Sequence, residues 1–133
     1  MKMKRIILAL TMLVAMVATA SAQAEIKFDK VSHNFGSFSE SNPIVSCLFK
    51  FKNTGKAPLV INQAIASCGC TVPTFTEKPI APGDSGVVKV TYNGQGRYPG
   101  RFKKVVTVMS NAKSRLVRLY IEGNMTENAK KKD

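Results

Sequence analysis

The sequence contains no tryptophan, one histidine, three cysteines, and only eight acidic residues against twenty basic ones. Each shortage excludes something. With no Trp and no widely spaced cysteine pair, the inter-sheet disulfide packed on tryptophan that marks antibody domains is not the expected core. The few carboxylates are too dispersed to nominate a pair for acid–base work, and the lone His33 sits in no Ser-His-acid arrangement that spacing supports. A Cys-His nucleophile built on His33 is a remote alternative, since a single histidine on an early strand is ordinarily a satisfied surface or core residue. No glycine-rich phosphate cradle precedes a helix, and no repeat recurs with a period of about 20 to 50 residues. Nothing after Ala22 is long and apolar enough to span a membrane.

What is present begins with Met1-Lys2-Met3-Lys4-Arg5, an uncharged run from Ile6 to Ala18, and Ala20-Ser21-Ala22. A basic start, an apolar run and small residues ahead of a polar segment make a secretory signal over residues 1–22, with cleavage expected after Ala22. The run falls short of the roughly 18 to 20 apolar residues a spanning helix needs. No cysteine follows closely enough for lipid attachment, so a soluble exported protein is expected. Cleavage leaves 111 residues, one domain with a modest core, and removing Lys2, Lys4 and Arg5 lowers the net charge from +12 to +9. Such a charge attracts polyanions. The basic residues are nevertheless scattered, apart from Lys103-Lys104 and Lys130-Lys131-Lys132. Export also argues against nucleic acid, so the charge reads as solvated surface.

From Glu25 onward the pattern is short alternating segments separated by turns, which is the signature of half-buried strands. Ile26 to Asp29 and Val31 to Gly36 are the first two. Ile44 to Lys52 is the clearest, with Val45, Cys47, Phe49 and Phe51 on one face, so Cys47 is expected to be a buried core cysteine. Asn53-Thr54-Gly55-Lys56 reads as a turn in which Asn starts the bend through its side chain and Gly tolerates positive φ. Leu59, Ile61 and Ile65 are expected on the buried side of the next strand, which runs into Cys68. Pro73 marks an edge strand or bend. Val88, Val90 and Tyr92 form another apolar face. Lys104 falls in register with Phe102, Val106 and Val108, and a β-bulge near Lys103 and Lys104 would repair that parity. Val117, Leu119 and Ile121 face inward on a last strand ending at Gly123. Together these predict an all-β fold, a single immunoglobulin-like sandwich of about seven strands over residues 23–124, with edges protected by lysine and proline. Residues 125–133 read as a disordered basic tail.

Phe35-Gly36, Phe51-Lys52-Asn53-Thr54-Gly55, Pro58-Leu59-Val60-Ile61, Cys68-Gly69-Cys70-Thr71, Pro79-Ile80-Ala81-Pro82-Gly83, Ser110-Asn111 and Ile121-Glu122-Gly123, in that order, resemble the DUF1573 family of exported bacterial proteins. The resemblance runs from Phe28 to Gly123. It implies an immunoglobulin-like sandwich related to the major-sperm-protein, ASH and PapD-like domains, a Bacteroidetes-like source and a periplasmic location. It brings no activity with it, because a fold does not fix a function.

The residues able to do chemistry are Cys68 and Cys70. Residues i and i+2 reach up to roughly 7 Å apart when extended, the limit for a disulfide, and Gly69 can bend the chain to bring them closer. A Cys68–Cys70 bond would lock a turn and contribute little loop entropy. Cys47 with either partner would instead staple two strands over about 20 residues, stabilising by about 3 kcal/mol. Two functional readings compete with a structural bond. One is thiol–disulfide exchange, which needs an exposed thiolate of lowered pKa. The other is Cu(I) capture by Cys68 and Cys70 with Met109 as a third ligand. A zinc site wants four ligands and lacks them. The leading expectation is a non-enzymatic, monomeric periplasmic module without a cofactor, binding a protein or envelope partner through a sheet edge or loops. The alternative is a thiol-redox or Cu(I)-binding protein acting through Cys68-Gly69-Cys70.

Overall fold

The computed structural model describes residues 22–127. In chain order the strands are β1 (Ile26–Phe28), β2 (Ser32–Ser39), β3 (Ile44–Asn53), β4 (Ile61–Ala66), β5 (Thr71–Phe75), β6 (Ser85–Asn93), β7 (Gly100–Ser110) and β8 (Leu116–Thr126). They form two four-stranded sheets, ordered β1-β3-β6-β5 and β2-β8-β7-β4. This is the all-β immunoglobulin-like sandwich that the alternation predicts, with eight strands where about seven are expected; a bend at 29–31 sends β1 to one sheet and β2 to the other. All pairings are antiparallel except that of β2, which runs parallel to β8.

The core lies between the sheets. Along β3, Cys47, Phe49, Phe51 and Asn53 are buried while Leu48, Lys50 and Lys52 are exposed, the strict period of two that one buried face demands. Val88, Val90 and Tyr92 of β6 share that face, and Val106, Val108, Leu119 and Ile121 meet them from the other sheet. Phe49 and Phe51 are at most 1% exposed, and burying each contributes about 1.5 to 3 kcal/mol. One end of the sandwich is closed by aromatic rings: Tyr92 stacks on Phe102 at 3.8 Å, and Phe38 packs edge-on against both.

Three expectations about the strands need correction. Ile65 is 48% exposed, whereas Ala64 and Ala66 turn inward, because the register of β4 on β7 slips between Ile61 and Gln63. One extra residue reverses every later side chain of the strand. The bulge expected at Lys103 and Lys104 does not form: β7 pairs with β8 without a break from Gly100–Met125 to Met109–Leu116. Lys104 therefore keeps inward parity and is half-buried. It is tolerated because the β4 ladder has already stopped at Ala66–Val106, leaving this stretch of β7 at the rim, where a lysine stem covers apolar surface and its ammonium reaches water. Finally, β8 continues past Gly123 to Thr126, with Met125 buried and the Glu40 N–H donating to the Thr126 carbonyl at 2.9 Å. The stretch read as tail thus begins inside a strand. Its lysines Lys130 to Lys132, and the export pattern before Ala22, lie outside the described residues.

The Asn53 turn holds the N-terminal segment in place. The fully buried Asn53 amide donates to the carbonyls of Ala57 (2.8 Å) and Ile80 (2.9 Å), and its Oδ1 accepts from the N–H of Gly55 (2.9 Å) and of Glu25 (3.4 Å). Every hydrogen-bonding group of this side chain is used, as burial requires. Gly55 is needed here for close approach rather than positive φ: a Cβ would lie 2.2 Å from the Gln23 carbonyl oxygen. Into that gap comes the segment 23–25, whose Gln23 carbonyl accepts from the Lys56 N–H at 3.0 Å.

Candidate functional site

Cys68, Gly69 and Cys70 occupy the crossover from β4, the edge of one sheet, to β5, the edge of the other. The crossover is pinned at both ends. Before it, the Ser67 N–H donates to the Val105 carbonyl (2.9 Å) and the Ser67 hydroxyl accepts from the Val105 N–H (3.1 Å). After it, the Asn93 N–H donates to the Cys70 carbonyl (2.7 Å), and the Thr71 N–H closes the turn onto the Cys68 carbonyl (3.1 Å). The two Cα atoms stand 5.2 Å apart and the sulfurs are joined as a disulfide. So small a ring removes little denatured-state entropy, worth about 1.5 kcal/mol by the chain-entropy relation.

The two sulfurs are in unlike surroundings. Cys70 is 5% exposed, within the core cluster, with the Thr71 hydroxyl 3.6 Å from its sulfur. Cys68 is only half-buried. Its Sγ accepts from the Cys70 N–H at 3.1 Å and from the Arg97 guanidinium Nη2 at 3.4 Å. Gly69 has ordinary φ, and a Cβ there would touch nothing within 4 Å. The bend that the sequence assigns to this glycine is not what the turn asks of it, and the flank of the disulfide at Gly69 is open.

Arg97 escapes the sequence reading, although a signal for it exists. β5 and β6 are consecutive antiparallel strands, and Thr71 pairs with Tyr92. The residues just before β5 must then stand beside those just after β6, which is where the loop 94–99 carries Arg97.

The other candidates are not brought to this turn. Met109 pairs with Gln63, which precedes Ala66 by about 10 Å of strand, and Cys68 lies further still. Neither sulfur is a thiolate while the bond stands, so Cu(I) capture would have to follow reduction. His33 is on β2, three strand spacings or about 14 Å across its sheet from β4. The Lys30 ammonium donates to its Nδ1 at 2.9 Å, and Phe35 packs edge-on at 4.8 Å. Partial burial, helped by the Lys30 charge, holds the His33 pKa below its usual 6.5. Cys47 is a free buried thiol that burial pushes up to about 11, against a weaker opposing pull from Lys30. Of the Lys103-Lys104 pair, Lys103 lies over the Tyr120 ring at 5.4 Å, so it is already engaged on the outer face. Among the described residues no three His, Cys, Asp or Glu side chains gather as a metal site, and no helix is long and apolar enough to cross a membrane.

Residues 26–125 match a family described as "Protein of unknown function (DUF1573)". No curated protein matches the chain in sequence. Among solved structures it is similar to a protein of unknown function from Porphyromonas gingivalis W83, with 15% identity and TM-score 0.69, over 82% of this chain and 50% of that one. It is also similar to an ASH/PapD-like domain of human CEP192, with 10% identity and TM-score 0.61, over 80% and 88% of the two chains. The Pseudomonas aeruginosa CupB2 chaperone matches with 12% identity and TM-score 0.51, over 77% and 56%. Part of the Vibrio cholerae protease VesB matches as well, over 34% of its own length with 14% identity and TM-score 0.56. The chain spans about half the length of the Porphyromonas protein, and at these identities the likeness is one of fold.

Proposed function

From the premise that this chain belongs to the DUF1573 family, we propose that it is a non-enzymatic, exported interaction module that captures an extended segment of a protein partner along one sheet edge. Chaperone and ASH-type domains among its structural neighbours support the general reading. The observation that carries the specific one is the character of β4.

A sandwich has four edge strands, and three of these are protected. β1 is three residues long and carries Lys27, and β2 is broken by a register shift between Asn34 and Ser37. β5 holds Pro73 opposite Val90; the neighbouring bonds from Asn93 to Cys70 and from Thr76 to Val87 place the proline among residues whose backbone points away from β6. A proline on the free side removes the donor that an added strand would use. β4, by contrast, reads Ile61-Asn62-Gln63-Ala64-Ile65-Ala66, without charge or proline. The Ser67–Val105 bond fixes its phase, so the backbone groups of Ala64 and Ala66 point away from β7 and are free to pair. Strand addition would use these groups for affinity and the exposed Ile65 for side-chain contact. Tyr98, 97% exposed, offers an aromatic anchor on the loop beside the β4–β5 crossover.

Export is part of the proposal. Gln23 is the residue whose carbonyl Lys56 holds, so cleavage after Ala22 would keep that bond.

The test is capture of envelope proteins by the mature chain against two variants, Ala64→Pro and Ile65→Lys. Both alter positions on the free edge or outer face, so thermal stability should change little, while a captured partner should be lost from both. Undiminished capture by both variants, with the fold intact, would show that β4 is not the docking edge.

A further inference from the structure

Beyond partner capture, we infer that the Cys68–Cys70 disulfide is a thiol-exchange centre, in which Cys68 is the sulfur that meets the partner and Arg97 stabilises its thiolate. Three separate features of the turn converge on this. The sulfurs are unequal in access: Cys70 is in the core, and Cys68 is half-buried at the rim. A guanidinium from a loop 29 residues away stands 3.4 Å from the accessible sulfur. The residue between them is an exposed glycine that the turn needs neither for its backbone nor for space, so no side chain stands over the pair there. A bond whose task was only to lock the turn would require neither the cation nor the opening. The turn is already held by the Ser67, Thr71 and Asn93 hydrogen bonds.

The co-reactant is a dithiol, meaning an exported polypeptide carrying two reduced cysteines. One of its thiolates attacks Cys68 Sγ. The bond from the partner sulfur to Cys68 forms, the Cys68–Cys70 bond breaks, and the electron pair leaves on Cys70, which takes a proton from water. The second partner thiolate then attacks the partner sulfur of the mixed disulfide, releasing Cys68 as a thiolate against Arg97. Two electrons pass from the dithiol to this chain; the partner gives two protons to water as its thiols ionise, Cys70 takes one back, and the chain ends with a Cys70 thiol and a Cys68 thiolate while the partner ends with a disulfide. In reverse, the Cys68 thiolate attacks a partner disulfide. A nearby cation raises the thiolate fraction of such a sulfur, and a lower thiol pKa also makes it the better leaving group.

The experiment uses the mature chain with dithiothreitol as the dithiol and iodoacetamide as the probe of free thiolate, both followed by intact mass. Dithiothreitol should reduce one disulfide in the folded chain, as judged by unchanged circular dichroism. In a Cys70→Ser variant, iodoacetamide should label Cys68 about tenfold faster than it labels Cys70 in Cys68→Ser. Adding Arg97→Gln to Cys70→Ser should slow labelling at pH 7 about threefold or more and move the midpoint of its pH profile upward, with Arg97→Lys restoring part of the effect. Because Arg97 is exposed on a loop, these variants should keep the fold. A disulfide that is reduced only when the chain unfolds would overturn the inference. So would equal labelling of the two cysteines, or a pH profile unmoved by Arg97→Gln.

Discussion

Cys47 and Cys70 share one core, yet only the second has a sulfur partner. The isolation of Cys47 has a measurable signature. Burial raises its thiol from an ordinary 9.0 to about 11, so between these values the unfolded chain releases a proton that the folded chain keeps. The contribution to stability is therefore complete below about pH 9 and is lost as pH rises towards 11. Urea midpoints measured at pH 8 and pH 10.5 should fall further in the native protein than in Cys47→Ala, a variant that itself costs about 1 kcal/mol or more. An equal fall in both would mean that Cys47 does not resist ionisation. Its inward direction was legible from the period-two pattern of Ile44 to Lys52, because a strand with one wet face leaves no freedom in side-chain parity. The roles of Gly55 and Gly69 were not legible. Both look like turn glycines in sequence, but one is required by a backbone segment that crosses it and the other meets nothing, and only three-dimensional neighbours separate the two cases.

At the scale of elements, the strands that follow simple alternation were readable, and those with a register slip were not. β3 and β6 have unbroken alternation and fall where expected. In β4 the parity flips at Asn62, a residue that nothing local marks as a bulge, because the slip is set by its pairing with Met109 and Ser110. Lys103 and Lys104 need no bulge, because inward parity is open to a lysine where the strand has lost its β4 neighbour. The turn after β3 behaves as an element in its own right, since Asn53 links the ends of three chain segments. Asn53→Ala would take this partner from the Ala57 carbonyl and from the N–H groups of Glu25 and Gly55, and would leave the Ile80 carbonyl with the Leu59 N–H alone, costing at least about 2 kcal/mol. A urea titration should show that loss as a lower midpoint. A midpoint within error of the native protein would mean that water replaces the amide without penalty.

For the whole molecule, fold class followed from composition and pattern, while the site depended on tertiary pairing: Arg97 reaches Cys68 only because β5 and β6 form a hairpin. The charge acts at this scale as well. After cleavage at Ala22 the chain would carry +9, and copies of it repel one another at low salt. That repulsion opposes pairing of one open β4 edge with another. Sedimentation of the mature chain in dilute buffer should accordingly give the monomer mass. A dimer that disappears in Ala64→Pro would show instead that the edge takes a second copy.

The parallel pairing of β2 with β8 carries a consequence in time. In a chain that emerges from its N-terminus, β2 waits for its neighbour until Leu116–Thr126 has appeared, and the second sheet cannot close before then. Contacts of such long sequence separation form late. In the exported chain proposed above, the sulfurs of Cys47, Cys68 and Cys70 are all open to oxidation during the wait. Bonding between the two cysteines on either side of Gly69 would then leave Cys47 as the reduced thiol over which the late-arriving strand closes.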